Sequence, residues 1–107
     1  MTTRVSIGDR AEAQIVQIDR WWKANRPAAP DLFHHEVLGC LGLLRATPEI
    51  GHPERHRRIP GLRRVLLAAS RYHVYYAYDS VDDVALVLAA WSALRGRRPP
   101  LSLLPER

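Results

Sequence analysis

Residues 62–91 read LRRVLLAASRYHVYYAYDSVDDVALVLAAW. Three extended runs lie here, LRRVLLA from Leu62, RYHVYYAY from Arg71 and VALVLAAW from Val84, joined by short links of which DSVDD has the make-up of a hairpin turn. Successive strand side chains point to opposite sides, so the middle run sets Tyr72, Val74, Tyr76 and Tyr78 on one face and His73, Tyr75 and Ala77 on the other. Both faces carry bulky groups, and one of them belongs to a core while the other is available as a working surface. The last run is apolar on both faces, which is the pattern of a strand central in its sheet or covered on both sides.

Upstream, TRVSI at 3–7 alternates β-branched and polar residues and predicts a first strand. Asp9 and Glu12 have the form of a capping box, and Ala11, Ile15, Ile18 and Trp22 recur at helical spacing, which predicts a helix from about residue 10 to 25. Asn25 and Pro27 end it. A second helix is expected to begin near Pro30, a residue suited to a first helical position, with a stripe of Phe33, Val37, Cys40 or Leu41, and Leu44. The short RPAAP link makes the two helices an antiparallel hairpin. PEIGHPERHRRIPG, from Pro48 to Gly61, has no usable periodicity and reads as a loop. The order is β-α-α-β-β-β, an α+β fold with a helical hairpin packed on a mostly antiparallel four-stranded sheet, and no helix is left to cover the sheet's other face. Residues 1–107 form one domain, and 92–107 a basic, proline-rich tail read as a short terminal helix or an irregular segment.

At 107 residues and 47% hydrophobic, the chain can bury one core without disulfides or a metal. It has no apolar run of the roughly 20 residues that a membrane helix needs. MTTRVSIGDRAEAQ lacks the apolar stretch of a secretory signal, and the lone Cys40 is a small buried hydrophobe, so the cytoplasm is the expected compartment. The net charge of +5 is almost wholly arginine, Lys23 being the only lysine. Arg55, Arg57, Arg58, Arg63, Arg64 and Arg71 cluster between Gly51 and His73, opposed only by Glu54, and Arg95, Arg97 and Arg98 follow the last strand. A planar fork suits phosphates and carboxylates, so the group predicts an anionic partner, either nucleic acid or an acidic protein segment. Each arginine taken singly is equally a solvated surface residue.

His52 with His56, and His34 with His35 and Glu36, lack the partners and spacing of a metal site, and neither a cofactor nor a metal is expected. Phosphate-cradling glycine loops and G-x-S-x-G are missing. A metal-free ribonuclease needs cations at the scissile phosphate with an acid and a base. His73 beside Arg64 and Arg71 formally meets that need, although the plainer reading of His73 is a residue that caps a sheet edge or binds a carbonyl. Trp21, Trp22 and Trp91 read first as packing residues.

TRVSIGDRAEAQI, a helix ending in tryptophans, RATPEIGHPERHRRIPGLRRVLL, RYHVYYAYD and VLAAWSALRGRR, in that order, resemble the RelE/ParE toxin superfamily of type II toxin–antitoxin systems, nearest its ParE-like branch. The resemblance implies the toxin of a plasmid stabilisation system that inhibits DNA gyrase, is not itself an enzyme, and is neutralised by a ParD-like antitoxin. It implies operator DNA contacts only through the antitoxin complex. RelE-like members are instead ribosome-dependent mRNA endoribonucleases. Arg64 matches their second-strand cation, but His73 stands where they have arginine, and 92–107 holds neither tyrosine nor histidine. The catalytic set, if there is one, is Arg64, Arg71 and His73. The target-binding expectation adds Arg63, Tyr75, Arg95, Arg97 and Arg98, with His73 and Tyr75 emerging on a concave basic face. An acidic, partly apolar antitoxin segment is expected on Leu32, Leu62 and Leu66, with its carboxylates on Arg57, Arg58 and Arg71.

Overall fold

The computed structural model describes residues 2–103. β1 is Arg4–Ile7, α1 Asp9–Asn25, α2 Leu32–Ala46, β2 His52–Pro53, β3 Leu62–Leu67, β4 Tyr72–Asp79 and β5 Val84–Ser92. They build an α+β fold in which one five-stranded sheet runs β1-β5-β4-β3-β2. β1 pairs parallel with β5, and every other pairing is antiparallel. The fifth strand, against the four expected, is β2. It is only two residues long, and its register is His52 with Arg64 and Pro53 with Arg63. Two residues are too few to show alternation.

The helical hairpin covers one face of the sheet. Phe33, Val37, Cys40, Leu41 and Leu44 of α2 are buried, as are Ala11 and Trp22 of α1, and Ile15 and Ile18 pack partly buried beside them. Val74, Tyr76, Ala85 and Val87 meet them from the sheet, and Tyr72 stands edge-on to Phe33 with ring centroids 5.3 Å apart. The expected capping box does not form. Gly8 is the N-cap without a side-chain bond, Asp9 is already helical, and the Glu12 amide donates to the Gly8 carbonyl at 2.9 Å. The Gly8 amide meanwhile donates to the Val87 carbonyl at 2.9 Å, so the chain enters the helix while still held to β5. Likewise Pro30 lies in the interhelical turn, and α2 begins at Leu32 after Asp31. Trp22 Nε1 donates to the Ala29 carbonyl at 2.8 Å and ties that turn down.

β5 is buried on both faces, and a bulge explains how. Tyr75 pairs with Ala89 but Tyr76 with Val87, leaving Leu88 as the extra residue. Ala85 and Val87 therefore face the hairpin while Leu88, Ala89 and Trp91 face away.

The sheet's second face is covered, contrary to expectation, by two segments that lack regular structure. Ile59 from the loop before β3 and Leu101 from the tail close over Leu62, Tyr75, Ala77, Leu88 and Ala89, and Pro99 is buried as well. Tyr75 and Leu62 are each 2% exposed. The loop is seated by Gly61, whose φ of 72° is in the glycine-favouring left-handed region and where a Cβ would lie 2.3 Å from the Tyr78 carbonyl oxygen. The tail is turns and bends with no helix up to residue 103; its last four residues, 104–107, lie outside the described residues. No helix among the described residues is long and apolar enough to cross a membrane.

Candidate target-binding surface

What remains open on the second face is a strip at the end nearest the β3–β4 turn. Leu66 of β3 pairs with His73 of β4, and His73 with Trp91 of β5, so the three lie side by side across the sheet. The next row, Arg64, Tyr75 and Ala89, carries one charged group. Leu66 is 43% exposed, whereas His73 and Trp91 are half-buried. His73 stands edge-on to the Tyr75 ring at 6.0 Å between centroids.

Charge enters this strip from three elements. Arg64 reaches the Glu54 carboxylate at 3.2 Å, and the Glu54 amide donates to the Leu62 carbonyl, which fixes the acid beside β3. Arg71, in the turn just before β4, has a φ of 65°, a conformation unusual for an arginine. Its amide donates to the Leu67 carbonyl and its carbonyl accepts from the Ala93 amide at 2.8 Å, so the turn is tied to the start of the tail. On the tail, the Arg95 guanidinium lies 4.2 Å and that of Arg97 5.9 Å from the Trp91 ring centroid. Trp91 Nε1 donates back to the Arg97 carbonyl at 2.9 Å, so the loop returns onto the ring that its arginines cover.

His73 is poised by this company. Burial, then the Arg64 guanidinium, hold its imidazole below the ordinary value; Glu54 opposes them and Arg71 adds to the lowering. At neutral pH the ring is therefore uncharged, a hydrogen-bonding and stacking group and not a third cation.

The expected residues are thus divided. Arg64 and Arg71 lie about His73, and Arg95 and Arg97 lie over Trp91, the β5 residue paired with His73. Arg63 does not join them: it shares the hairpin-side face of β3 with Val65 and Leu67, where its guanidinium donates to the Glu49 and Gly51 carbonyls at 2.8 Å each. Tyr75 does not emerge on the surface, because Ile59 and Leu101 cover it. Leu62 is buried in the same cluster and offers nothing to an antitoxin. Leu32 is half-buried on the hairpin side, the face opposite Leu66. Arg57 and Arg58 are exposed on the covering loop, and Arg98 donates to the Arg55 carbonyl at 2.6 Å, latching tail to loop. Two contributors escaped the sequence reading: Trp91 as the platform for the arginine pair, and Glu54 as the partner of Arg64. The spacing of Trp91 to Arg95 and Arg97, and the isolation of one acid among arginines, were the available signals. Among the described residues no three histidine, cysteine or carboxylate groups gather as metal ligands would.

The sequence model of the family described as ParE toxin of type II toxin-antitoxin system, parDE, matches residues 5–95. No curated protein sequence matches the chain significantly. Among solved structures, a free-state E. coli toxin RelE bearing two arginine-to-alanine substitutions is similar at 17% identity and a TM-score of 0.56, over 88% of this chain and 86% of that one. A chain of the intact E. coli RelBE toxin–antitoxin complex is similar at 17% identity and a TM-score of 0.51, over 87% and 99%. At that identity the likeness shows a common fold.

Proposed function

The chain belongs to the ParE toxin family of type II toxin–antitoxin systems, and on that premise we propose that it arrests growth by binding and inhibiting DNA gyrase in the cytoplasm. The observation that carries this reading is the shortage of proton-transfer groups at the open strip. Messenger cleavage without a metal needs an acid and a base within reach of the phosphate. His73 and Glu54 are such groups there, but Glu54 is held in its ion pair with Arg64, and every tyrosine is engaged elsewhere. Tyr75 is buried, Tyr76 donates to the Pro48 carbonyl at 2.7 Å, Tyr78 donates to Asp83 at 2.9 Å, and Tyr72 packs on Phe33. A neutral imidazole beside stacked arginines supports recognition more than catalysis.

A ParD-like antitoxin is the proposed neutralising partner. Its acidic segment would meet Arg57, Arg58 and Arg71 and anchor on Leu66, the exposed apolar residue of the strip, with Leu32 as a contact on the hairpin side. The adjacency of Arg64 and His73, with Arg71 close by, favours ribosome-dependent mRNA cleavage as the second reading.

The test is a supercoiling assay with purified gyrase, run beside cleavage mapping on translating ribosomes. Inhibited supercoiling without cuts within codons supports the gyrase reading. Cuts within codons that disappear in His73→Gln, with gyrase unaffected at high toxin excess, would replace it with the nuclease.

A further inference from the structure

Resting on the gyrase reading, we propose that this toxin also touches DNA itself, with Arg71, Arg95 and Arg97 forming a cradle for the phosphate backbone of the duplex that gyrase holds. The three guanidinium groups come from two elements that the structure joins. The Ala93 amide bonds the Arg71 carbonyl, His73 pairs with Trp91, and Arg95 and Arg97 lie over the Trp91 ring. None of the three has a carboxylate partner among the described residues, while nearby Arg64 does. Gathering like charges without counterions costs repulsion, which a polyanion relieves.

Stacking on the indole reduces the rotamer freedom that Arg95 and Arg97 lose on meeting a phosphate. Arg71 adds a second cost of its own, since it holds a left-handed backbone conformation that glycine would adopt without strain. An acidic protein segment would match the charge, but it also needs an apolar socket, and Leu66, the anchor proposed for the antitoxin, lies across the sheet from Trp91, beyond His73. The natural socket here, the Trp91 face, is already occupied by Arg95, and Leu94 projects outward at 79% exposure. A phosphate backbone asks only for exposed, pre-oriented cations.

Counterion release makes the proposal quantitative: three phosphate contacts on B-form DNA give a slope of log affinity against log salt of about −2.7, or about a 40-fold loss over a fourfold rise in salt. Fluorescence anisotropy with a short labelled duplex and the intact chain measures that slope. Arg95→Ala with Arg97→Ala should flatten it to about −0.9, so that the same rise in salt costs only about 3- to 4-fold. A control pair, Arg20→Ala with Arg45→Ala, removes two exposed charges from the helical hairpin and should leave the slope near the wild-type value. Circular dichroism establishes that both double variants are folded.

No duplex binding at low salt, or an equal flattening by the two pairs, overturns the cradle. So does equally tight binding of a polyglutamate peptide that depends on Arg95 and Arg97, which would assign the patch to an acidic protein. The gyrase assay is scored separately. Inhibition without DNA binding sinks this proposal alone, whereas DNA binding without inhibition sinks the gyrase reading and leaves only the phosphate contact to duplex DNA standing.

Discussion

Replacing Tyr76 with phenylalanine removes one oxygen from a fully buried ring and tests how the site is held. That hydroxyl donates to the Pro48 carbonyl at 2.7 Å and accepts from the Gly51 amide at 2.9 Å. It thus pins the segment leaving α2, which leads through β2 to Glu54 and its ion pair with Arg64. Gly51 is buried, so its stranded amide cannot turn to water, while the half-buried Pro48 carbonyl can do so in part. A stranded buried donor costs about 1–3 kcal/mol and a lost neutral bond about 1, so Tyr76→Phe should destabilise by about 2–4 kcal/mol. With a urea dependence of about 1–3 kcal/mol/M, the unfolding midpoint should fall by about 0.7–4 M at unchanged slope. Gly51→Ala sharpens the test, because its Cβ would sit 2.6 Å from the Tyr76 oxygen and 2.8 Å from Cε1. In the double variant the first clash disappears and the second remains, so the combined cost should fall short of the sum by about 1 kcal/mol. A midpoint within about 0.3 M of wild type for Tyr76→Phe, or strict additivity with Gly51→Ala, would refute the argument that this hydroxyl anchors the segment.

Three further outcomes follow from the same geometry. Arg71→Gly and Arg71→Ala remove the same charge, but only glycine suits the φ of 65°, so the glycine variant should be the more stable by about 1 kcal/mol in urea melts; equal midpoints would show that the backbone there carries no strain. Leu62→Ala should cost about 2–5 kcal/mol, as a buried leucine does, while Leu66→Ala should leave the melt nearly unchanged and raise the antitoxin off-rate in surface plasmon resonance; the reverse pattern would mean the covered and open ends of β3's second face are misassigned. His73 binds its proton less readily in the fold than its ordinary value of 6.5, so the unfolded chain takes up more protons in acid. Its cost is therefore absent above about pH 6.5 and grows as pH falls through the lowered value, and His73→Gln should lose less stability than wild type between neutral pH and about pH 5. Parallel pH profiles would rule that out.

The sequence was most legible where side chains repeat with the period of their element. The α2 stripe and the alternation in β4 are of this kind, because one face of each packs on the other. It was least legible where the partner decides. β2 exists because β3 offers it an edge, and nothing in His52–Pro53 alone says so. The Leu88 bulge is hidden in a run that is apolar on every side, where gaining a residue breaks no pattern. The Asp9–Glu12 spacing suggested a cap, but the Gly8 peptide satisfies both β5 and the first turn of α1. At the site, the choice between Arg63 and Arg64 follows from strand parity: Arg64 shares its face with Leu66, and Arg63 shares its own with Val65 and Leu67. The burial of Tyr75 does not follow from parity, since Ile59 and Leu101 belong to segments with no period to read.

Those aperiodic segments connect stability with recognition. The hairpin face is closed by two regular helices, so its core tolerates no exposed partner and needs none. The other face is closed only by a loop and a tail, and the same segments present the basic groups: Arg57 and Arg58 lie on the loop, Arg95 and Arg97 on the tail. The latch from Arg98 to the Arg55 carbonyl and the bond from Trp91 to the Arg97 carbonyl hold that cover in place at 2.6 and 2.9 Å. Irregular cover with few regular backbone bonds opens at lower free energy than packed helices do. A partner that gripped the tail would therefore act on the Tyr75 cluster beneath it, and one that gripped the β3–β4 turn would act through the Arg71–Ala93 bond on the tail. The aromatic strand is built for both roles: Tyr76 and Tyr72 fasten the hairpin, Tyr75 seals the thin side, and His73 is the residue of β4 left beside the cationic strip.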